Sequence, residues 1–327
     1  MCTSLTFENS RGDHFLARTM DFAFELGGQP IFMPRHQTFQ GDAGEFTTKY
    51  GFVGAGRNLS HYIVVDGVNE FGLGAAALYF PQYAQYEETA KVGKLGLAPH
   101  DVTAWVLGNA KSVAELRDLV KTIQILDVPV ALLGLTTPLH YIFSDPTGDT
   151  AVLEATSEEL HLIDDPVGVM ANAPQLSWHL QNLSTYGTMQ AEERPLHDYL
   201  GLPLKTQGPG TGALGLPGDY TSPSRFVRTV YNKHYSIPTA DIPSTLNLLQ
   251  HLLDTVTIPK GVKLKADGKS DYTQYRGYMS LDERAFYMEP YDNQELQRVV
   301  MTDEMLNDWD TPVEYPLAHT PHVSHLN

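Results

Sequence analysis

Through residue 80 the chain alternates apolar and polar positions with a period of two. "TSLTFE" and "HFLARTMDF" flank the turn chemistry of "NSRGD", which predicts an N-terminal β-hairpin. "YIVVDGVNEFGLGAAALYF" repeats the arrangement, with "GVNEFG" as the connection. The small residues Gly72, Gly74, Ala75, Ala76 and Ala77 predict a strand packed closely against another layer. The period then lengthens. In "NAKSVAELRDLVKTIQIL", Ser112 and Glu115 form an S-x-x-E capping box, and Val113, Leu116, Val120 and Ile123 mark one helical face. From Leu139 strands return in "LHYIFS", "TAVLEAT", "LHLID" and "VGVMA". "PQLSWHLQNLSTY" and the stretches near 223–234 and 243–256 read as helices, and "YTQYRGYMSLDERAFYMEPYDN" as a further hairpin. Blocks of hairpins separated by blocks of helices argue for α+β layers, two stacked sheets with helices outside, rather than alternating βαβ units. No repeat or linker interrupts the pattern, so 1–327 is read as one domain.

Charge changes the picture first. The 39 acidic residues outnumber the 22 basic ones for a net charge of -17, which repels a phosphate backbone and argues against nucleic acid as a partner. One cysteine cannot close an internal disulfide. The N-terminus lacks the basic and apolar regions of a signal peptide, and no apolar run nears the roughly 20 residues that span a bilayer. The expectation is a cytoplasmic protein with no membrane partner. The sequons at Asn58 and Asn182 then read as chance.

Several motifs fail on context. Gly210, Gly212 and Gly215 match a dinucleotide fingerprint, yet no apolar strand precedes them and Pro217 and Gly218 spoil the helix that should follow. "ADGKSDY" has the end of a P-loop without its first glycine. His319, His322 and His325 recur every three residues, but Pro321 argues against a helix presenting them together, and a tail is favoured over a metal site. No cofactor and no metal is expected.

The lone cysteine, Cys2, stands directly behind Met1. Removal of Met1 would give Cys2 a thiol nucleophile and a free α-amine, whose pKa of about 7.7–8.0 suits a general base. A nucleophile served by its own terminal amine is a known activation scheme. Arg18 and Asp21, in "ARTMDF", fall on the strand expected to pair with "CTSLTF". A guanidinium beside the sulfur would favour the thiolate, and a carboxylate could hold the amine. Their offset of three puts them on opposite faces of a regular strand, so the strand should end or bulge between them. On these residues alone the plainer reading stays open: Cys2 as an inert terminal residue, with Arg18 and Asp21 a solvated pair.

Taken together, "MCTSLTFE", "ARTMDF", "VMANAPQLSWH" and "GLPGDYTSPSRF" resemble the choloylglycine hydrolase family of bile salt hydrolases and penicillin V acylases. These are N-terminal nucleophile hydrolases, and the resemblance runs from Cys2 to the closing "VSHLN". It implies a four-layer αββα sandwich, usually a homotetramer, acting on a small-molecule amide. It also implies Cys2 as nucleophile with its amine as base, and Arg18 and Asp21 flanking thiol and amine. Asn172 would serve in the oxyanion hole and Arg225 in the surrounding charge network. Without the resemblance, Asn172 reads as a helix cap and Arg225 as a surface cation.

Tyr79 is the informative departure, since its position looks equivalent to one that is typically Asn in bile salt hydrolases and Tyr in penicillin V acylases. The resemblance places its backbone N–H in the oxyanion hole and its ring in the substrate pocket. Met20, Phe22, Phe24 and Phe80 would extend an apolar wall. The leading expectation is therefore a penicillin V acylase-type amidohydrolase working through a thioester. Bile salt hydrolysis is the runner-up, deacylation of acyl-homoserine lactones a third candidate, and a catalytically silent binding protein the alternative outside enzymes. Arg18 and Arg225 are expected to supply local counter-charge for an anionic substrate.

Overall fold

The N-terminal hairpin forms where the alternation places it. β1 (Cys2–Glu8) and β2 (His14–Phe22) pair antiparallel from Cys2 opposite Met20 to Glu8 opposite His14. The computed structural model describes residues 2–131, 134–156, 160–206 and 208–326, so Met1 and its expected removal lie outside the described residues.

Further strands follow the hairpin: β3 (Gln29–Met33), β4 (Thr38–Gly41), β5 (Gly44–Thr47), β6 (Phe52–Asn58), β7 (Tyr62–Asn69) and β8 (Gly74–Tyr79). After β9 (Leu95–Leu97) come helices α1 (Val102–Asn109) and α2 (Val113–Leu119), then β10 (Ile123–Ile125). The strands expected from Leu139 are β11 (Leu139–Ser144), β12 (Thr150–Glu154), β13 (Leu162–Asp164) and β14 (Val169–Met170). Helices α3 (Leu176–Asn182), α4 (Ser222–Tyr235) and α5 (Ile242–Asp254) precede β15 (Tyr272–Ser280), β16 (Ala285–Pro290) and β17 (Gln297–Val300). Helix α6 (Asp303–Asp308) and β18 (Val313–Glu314) complete the order.

Two antiparallel sheets carry the architecture. One runs β14-β1-β2-β15-β16-β17, and the other β13-β12-β11-β8-β7-β6-β3-β18. One core joins the facing sides of the sheets to α4 and α5, through residues such as Leu16, Met20, Val68, Ile142, Phe226 and Leu249. A second packs α1 and α2 on the far side of the larger sheet, around Ala75, Tyr141, Trp105 and Leu116. The result is the expected four-layer αββα sandwich. Strands in such a stack are covered on both faces, so β2 is buried from Phe15 to Asp21 although three of its residues are polar or charged.

The small residues of β8 answer to this stacking. A Cβ at Gly74 would sit 2.7 Å from Leu281 Cδ2 and 3.3 Å from Leu16 Cδ2 of the facing sheet. Two helical readings need correction. The helix begun by Ser112, whose hydroxyl accepts Glu115 N–H at 3.2 Å, ends at Leu119, and Ile123–Ile125 is a strand parallel to β9. Val113, Leu116, Val120 and Ile123 are all buried, so the face was read correctly and its last turn was not. Helix α1 escaped the reading because all of its residues are buried, which leaves no period to detect. "GPGTGALG" holds a single 3₁₀ turn at Thr211–Ala213, while His319 and His322 pair with separate carboxylates, Asp292 and Glu295.

Candidate active site

Strand β1 begins at Cys2, which is only 2% exposed. Its backbone N–H donates to Asn172 Oδ1 at 2.7 Å, and its carbonyl accepts from Arg225 Nη1 at 2.7 Å. Its Sγ lies 3.9 Å from the carbonyl oxygen of Asp21. The sequence-predicted residues therefore converge on both ends of one residue.

The pleat distributes them as an offset of three demands, yet β2 neither ends nor bulges between Arg18 and Asp21. Its register with β1 is continuous, and the irregularity falls on the neighbouring strand β15, between Thr273 and Tyr275. Arg18 pairs with Ser4 and reaches across to the larger sheet, donating to Asp66 Oδ2 at 2.6 Å and Ala77 O at 3.2 Å. Asp66 also accepts from Tyr275 Oη at 2.8 Å. Burial works against the Arg18 charge, but Cys2, Tyr275 and Asp66 outweigh it and hold the guanidinium firmly protonated. Burial pushes the Asp66 carboxyl upward, with the Arg18 pairing opposing it.

Asp21 faces the helical layer instead. It accepts from Thr273 Oγ1 at 2.6 Å and Thr19 Oγ1 at 3.2 Å, with Arg225 Nη1 at 3.9 Å. Burial is the largest influence on it and raises its pKa. Cys2, at the strand end, is the residue that both faces can reach.

Asn172 follows β14 and does not cap α3; Gln175 stands at that cap. The Asn172 side chain instead joins three elements. Its Oδ1 accepts from Cys2 N–H and from Arg225 Nη2 at 2.8 Å, while its Nδ2 donates to Tyr79 O at 2.6 Å. Its carbonyl accepts from His179 Nε2 at 2.9 Å and Ser222 Oγ at 2.8 Å. Arg225, on α4, is fully buried and not a surface cation; it also donates to Thr3 Oγ1. Phe80 N–H bonds Pro138 O, so by antiparallel alternation the Tyr79 N–H points away from β11, along the edge where Asn172 reaches Tyr79 O. One Asn172 N–H and the Tyr79 N–H thus share one edge.

A cavity of about 120 Å³ opens on Cys2, and its lining includes Met20, Phe22, Phe24, Leu59 and Tyr79. Phe22 meets Tyr79 edge-on at 6.0 Å between ring centroids and Phe24 edge-on at 4.6 Å. Three of the four expected wall residues are in place. Phe80 is not: the pleat turns it away, and it stacks on His140 at 4.3 Å. The expected counter-charge is not at the cavity either: Arg18 and Arg225 are buried in protein contacts, and among the described residues no Lys or Arg lines it. A larger cavity of about 440 Å³ lies at the far end of the hairpin, beside Glu8, His14 and Lys233, remote from Cys2.

Sequence reasoning missed Asp66, Tyr275, Thr273, Ser222 and His179. Asp66 alone carried a signal, an acid inside the apolar run "YIVVDGV". Burial lowers the His179 pKa to about 4, so its ring is neutral when it donates to Asn172.

The arrangement offers a thiol, a nitrogen on the same residue and two N–H donors beside an apolar cavity, a set suited to acyl transfer. The family model for linear amide C–N hydrolases, choloylglycine hydrolase family, matches residues 2–315. A bile salt hydrolase/transferase of Clostridium perfringens (strain 13 / Type A) is 34% identical over 330 residues, spanning 100% of both chains. The crystal structure of a mutant conjugated bile acid hydrolase from Clostridium perfringens matches with a TM-score of 0.92 and 32% identity, again over 100% of each chain. A penicillin V acylase of Pectobacterium atrosepticum is 29% identical across 66% of this chain and 54% of its own.

Proposed function

The chain belongs to the choloylglycine hydrolase family, and from that premise we propose that it hydrolyses the amide of glycine- and taurine-conjugated bile salts. Its class is that of a hydrolase of linear amide C–N bonds. The reading rests on the full-length likeness to a bile salt hydrolase/transferase, set against a partial likeness to a penicillin V acylase. That contrast reverses the order expected from Tyr79.

In the proposed mechanism Cys2 carries a free α-amine. The amine takes the thiol proton, and Sγ attacks the amide carbonyl to form a tetrahedral oxyanion. The Tyr79 N–H and the Asn172 Nδ2–H receive that charge, a role commonly worth about 3–4 kcal/mol. The protonated amine then delivers its proton to the leaving nitrogen, and the C–N bond breaks. Water, deprotonated by the same amine, attacks the thioester and releases the acid. Asn172 Oδ1 orients the amine, Arg225 holds Asn172 and the Cys2 carbonyl, and Asp21 faces Arg225. Arg18 contributes positive charge that Cys2 feels directly. The apolar cavity takes the acyl part, leaving the amino-acid part toward solvent.

Penicillin V stands as a second reading on one observation, the edge-on Phe22 and Tyr79 rings suited to a flat aryl group. A side-by-side measurement of kcat/KM on conjugated bile salts and penicillin V separates the two. Preference for bile salts by at least about tenfold, or 1.4 kcal/mol of barrier, is expected, and an equal preference for penicillin V overturns it. Intact mass of active protein should lack one methionine residue, and Cys2→Ser should abolish turnover with the fold preserved.

A further inference from the structure

Outside the Cys2 site, three chain segments bring two histidines and two carboxylates together. Asp42 sits in the turn between β4 and β5, His61 just ahead of β7, and His100 and Asp101 in the 3₁₀ turn that leads into α1. His61 Nε2 lies 2.7 Å from Asp101 Oδ1, and His100 Nε2 lies 2.9 Å from Asp42 Oδ2 and 4.0 Å from Asp101 Oδ2. Donor atoms of Asp42, His61 and His100 fall within 4.8 Å of one another. His61, His100 and Asp101 are buried, at 8%, 5% and 1% exposure.

Charge is what makes the cluster unusual. Among the described residues, the ion-pair partners of Asp42 and Asp101 are these histidines, with no Lys or Arg. Two carboxylates facing two imidazoles carry net negative charge whenever either ring is neutral, which burial makes costly. The turn is also shaped around the cluster, since a Cβ at Gly41 would stand 2.6 Å from Asp101 Oδ2. We propose that Asp42, His61, His100 and Asp101 form a binding site for a divalent transition-metal ion, zinc by donor chemistry.

Two imidazole nitrogens with carboxylate oxygens suit zinc, which holds such donors at about 2.0–2.2 Å in tetrahedral geometry. Closing Asp42, His61 and His100 onto an ion takes shifts of under about 1 Å each by that geometry, with Asp101 turning further to complete the set. Each ring binds through Nε2 and keeps its proton on Nδ1. For His61 that proton meets Ser60 Oγ, 3.2 Å away, the kind of outer contact that fixes a ligating imidazole. The ion has a structural role at the wall of the substrate cavity. His100 and Leu59 line that cavity, as does Val130, whose neighbour Ala131 donates its N–H to Asp42 Oδ2 at 3.2 Å. The site is independent of which amide Cys2 cleaves.

Cys2 and the C-terminal histidines could also take up zinc, so the test is built around Cys2→Ala protein. Chelator-treated Cys2→Ala chain is titrated with zinc chloride by calorimetry, with bound metal counted by elemental analysis and melting followed in parallel. One zinc per chain and a higher Tm are expected. Asp42→Asn and His61→Gln, each added separately, should weaken binding by at least about tenfold. Cobalt(II) soaked into the Cys2→Ala chain should give the intense visible absorption of a tetrahedral site, which keeps the test valid if either variant folds poorly. Failure of the Cys2→Ala chain to bind zinc, or binding that survives both substitutions or vanishes on changing His319, His322 and His325 to Gln, overturns the proposal.

Discussion

Asn172 Oδ1 accepts from both Cys2 N–H and Arg225 Nη2, so one atom couples the proposed nucleophile to its supporting charge. Asn172→Ala should lower kcat by about 10²–10³, the usual loss for an oxyanion donor, with a much smaller change in KM. Equal losses in kcat and in substrate affinity would place Asn172 in substrate binding instead. Arg18 tests a different term. Arg18→Met leaves Asp66 buried without its cation and should cost about 3–5 kcal/mol in urea unfolding. The double change with Asp66→Leu should recover most of that loss; if it does not, the pair is not what the single substitution disturbs. Both residues show how far the sequence could be read. Cys2, Arg18, Asp21, Asn172 and Arg225 announced themselves through position and resemblance. Asp66 showed only as an acid in an apolar run and Tyr275 not at all, because their bond crosses between the two sheets, which no local spacing encodes.

At the level of elements, the hairpin β1–β2 was legible because its turn and alternation are local. Its consequence for the site was only half legible. Opposite placement of Arg18 and Asp21 followed from the pleat, but the displaced register belongs to β15, contributed by chain 250 residues away. The segment between β14 and α3 depends in turn on His179, whose donated bond holds the Asn172 carbonyl. Burial lowers its pKa to about 4 from 6.5, so the folded state binds fewer protons than the unfolded chain. That contribution is complete above pH 6.5 and is lost as pH falls toward 4. Unfolding free energy should fall by about 2.5 kcal/mol on this account between pH about 7.5 and about 4.5. His179→Gln, which can keep the donor without titrating, should flatten the slope by that amount in urea titrations at the two pH values. An unchanged slope would assign the acid sensitivity elsewhere.

For the molecule as a whole, the stacked sheets were foreseen and the burial of polar side chains within them was not. Period-two alternation signals a strand with one wet face, whereas β2 is covered on both, so the plainer reading of Arg18 and Asp21 as a solvated pair gives way to an interior one. The charge of -17 bears directly on the proposed substrate, since among the described residues no Lys or Arg lines the cavity beside Cys2. A conjugated bile salt is an anion and meets a repelling field. Raising ionic strength from about 0.01 M to 0.15 M shortens the screening length from about 30 Å to about 8 Å. The expected result, below the micelle threshold, is a several-fold rise in kcat/KM for the anionic substrate and none for an uncharged amide of the same acid. A fall with salt would reveal an attractive patch beyond the cavity.

The depth of Cys2 in the sandwich sets an order of events. Its backbone nitrogen donates to Asn172 Oδ1, and the residue lies deep between the sheets and α4. If Met1 is removed as proposed, the 2% exposure of Cys2 leaves a trimming peptidase its opportunity on the nascent chain, before the first hairpin is sealed beneath α4. On the proposed mechanism, chains that miss that interval would fold without the amine that serves as base, and the active fraction of a preparation would record a race run during synthesis.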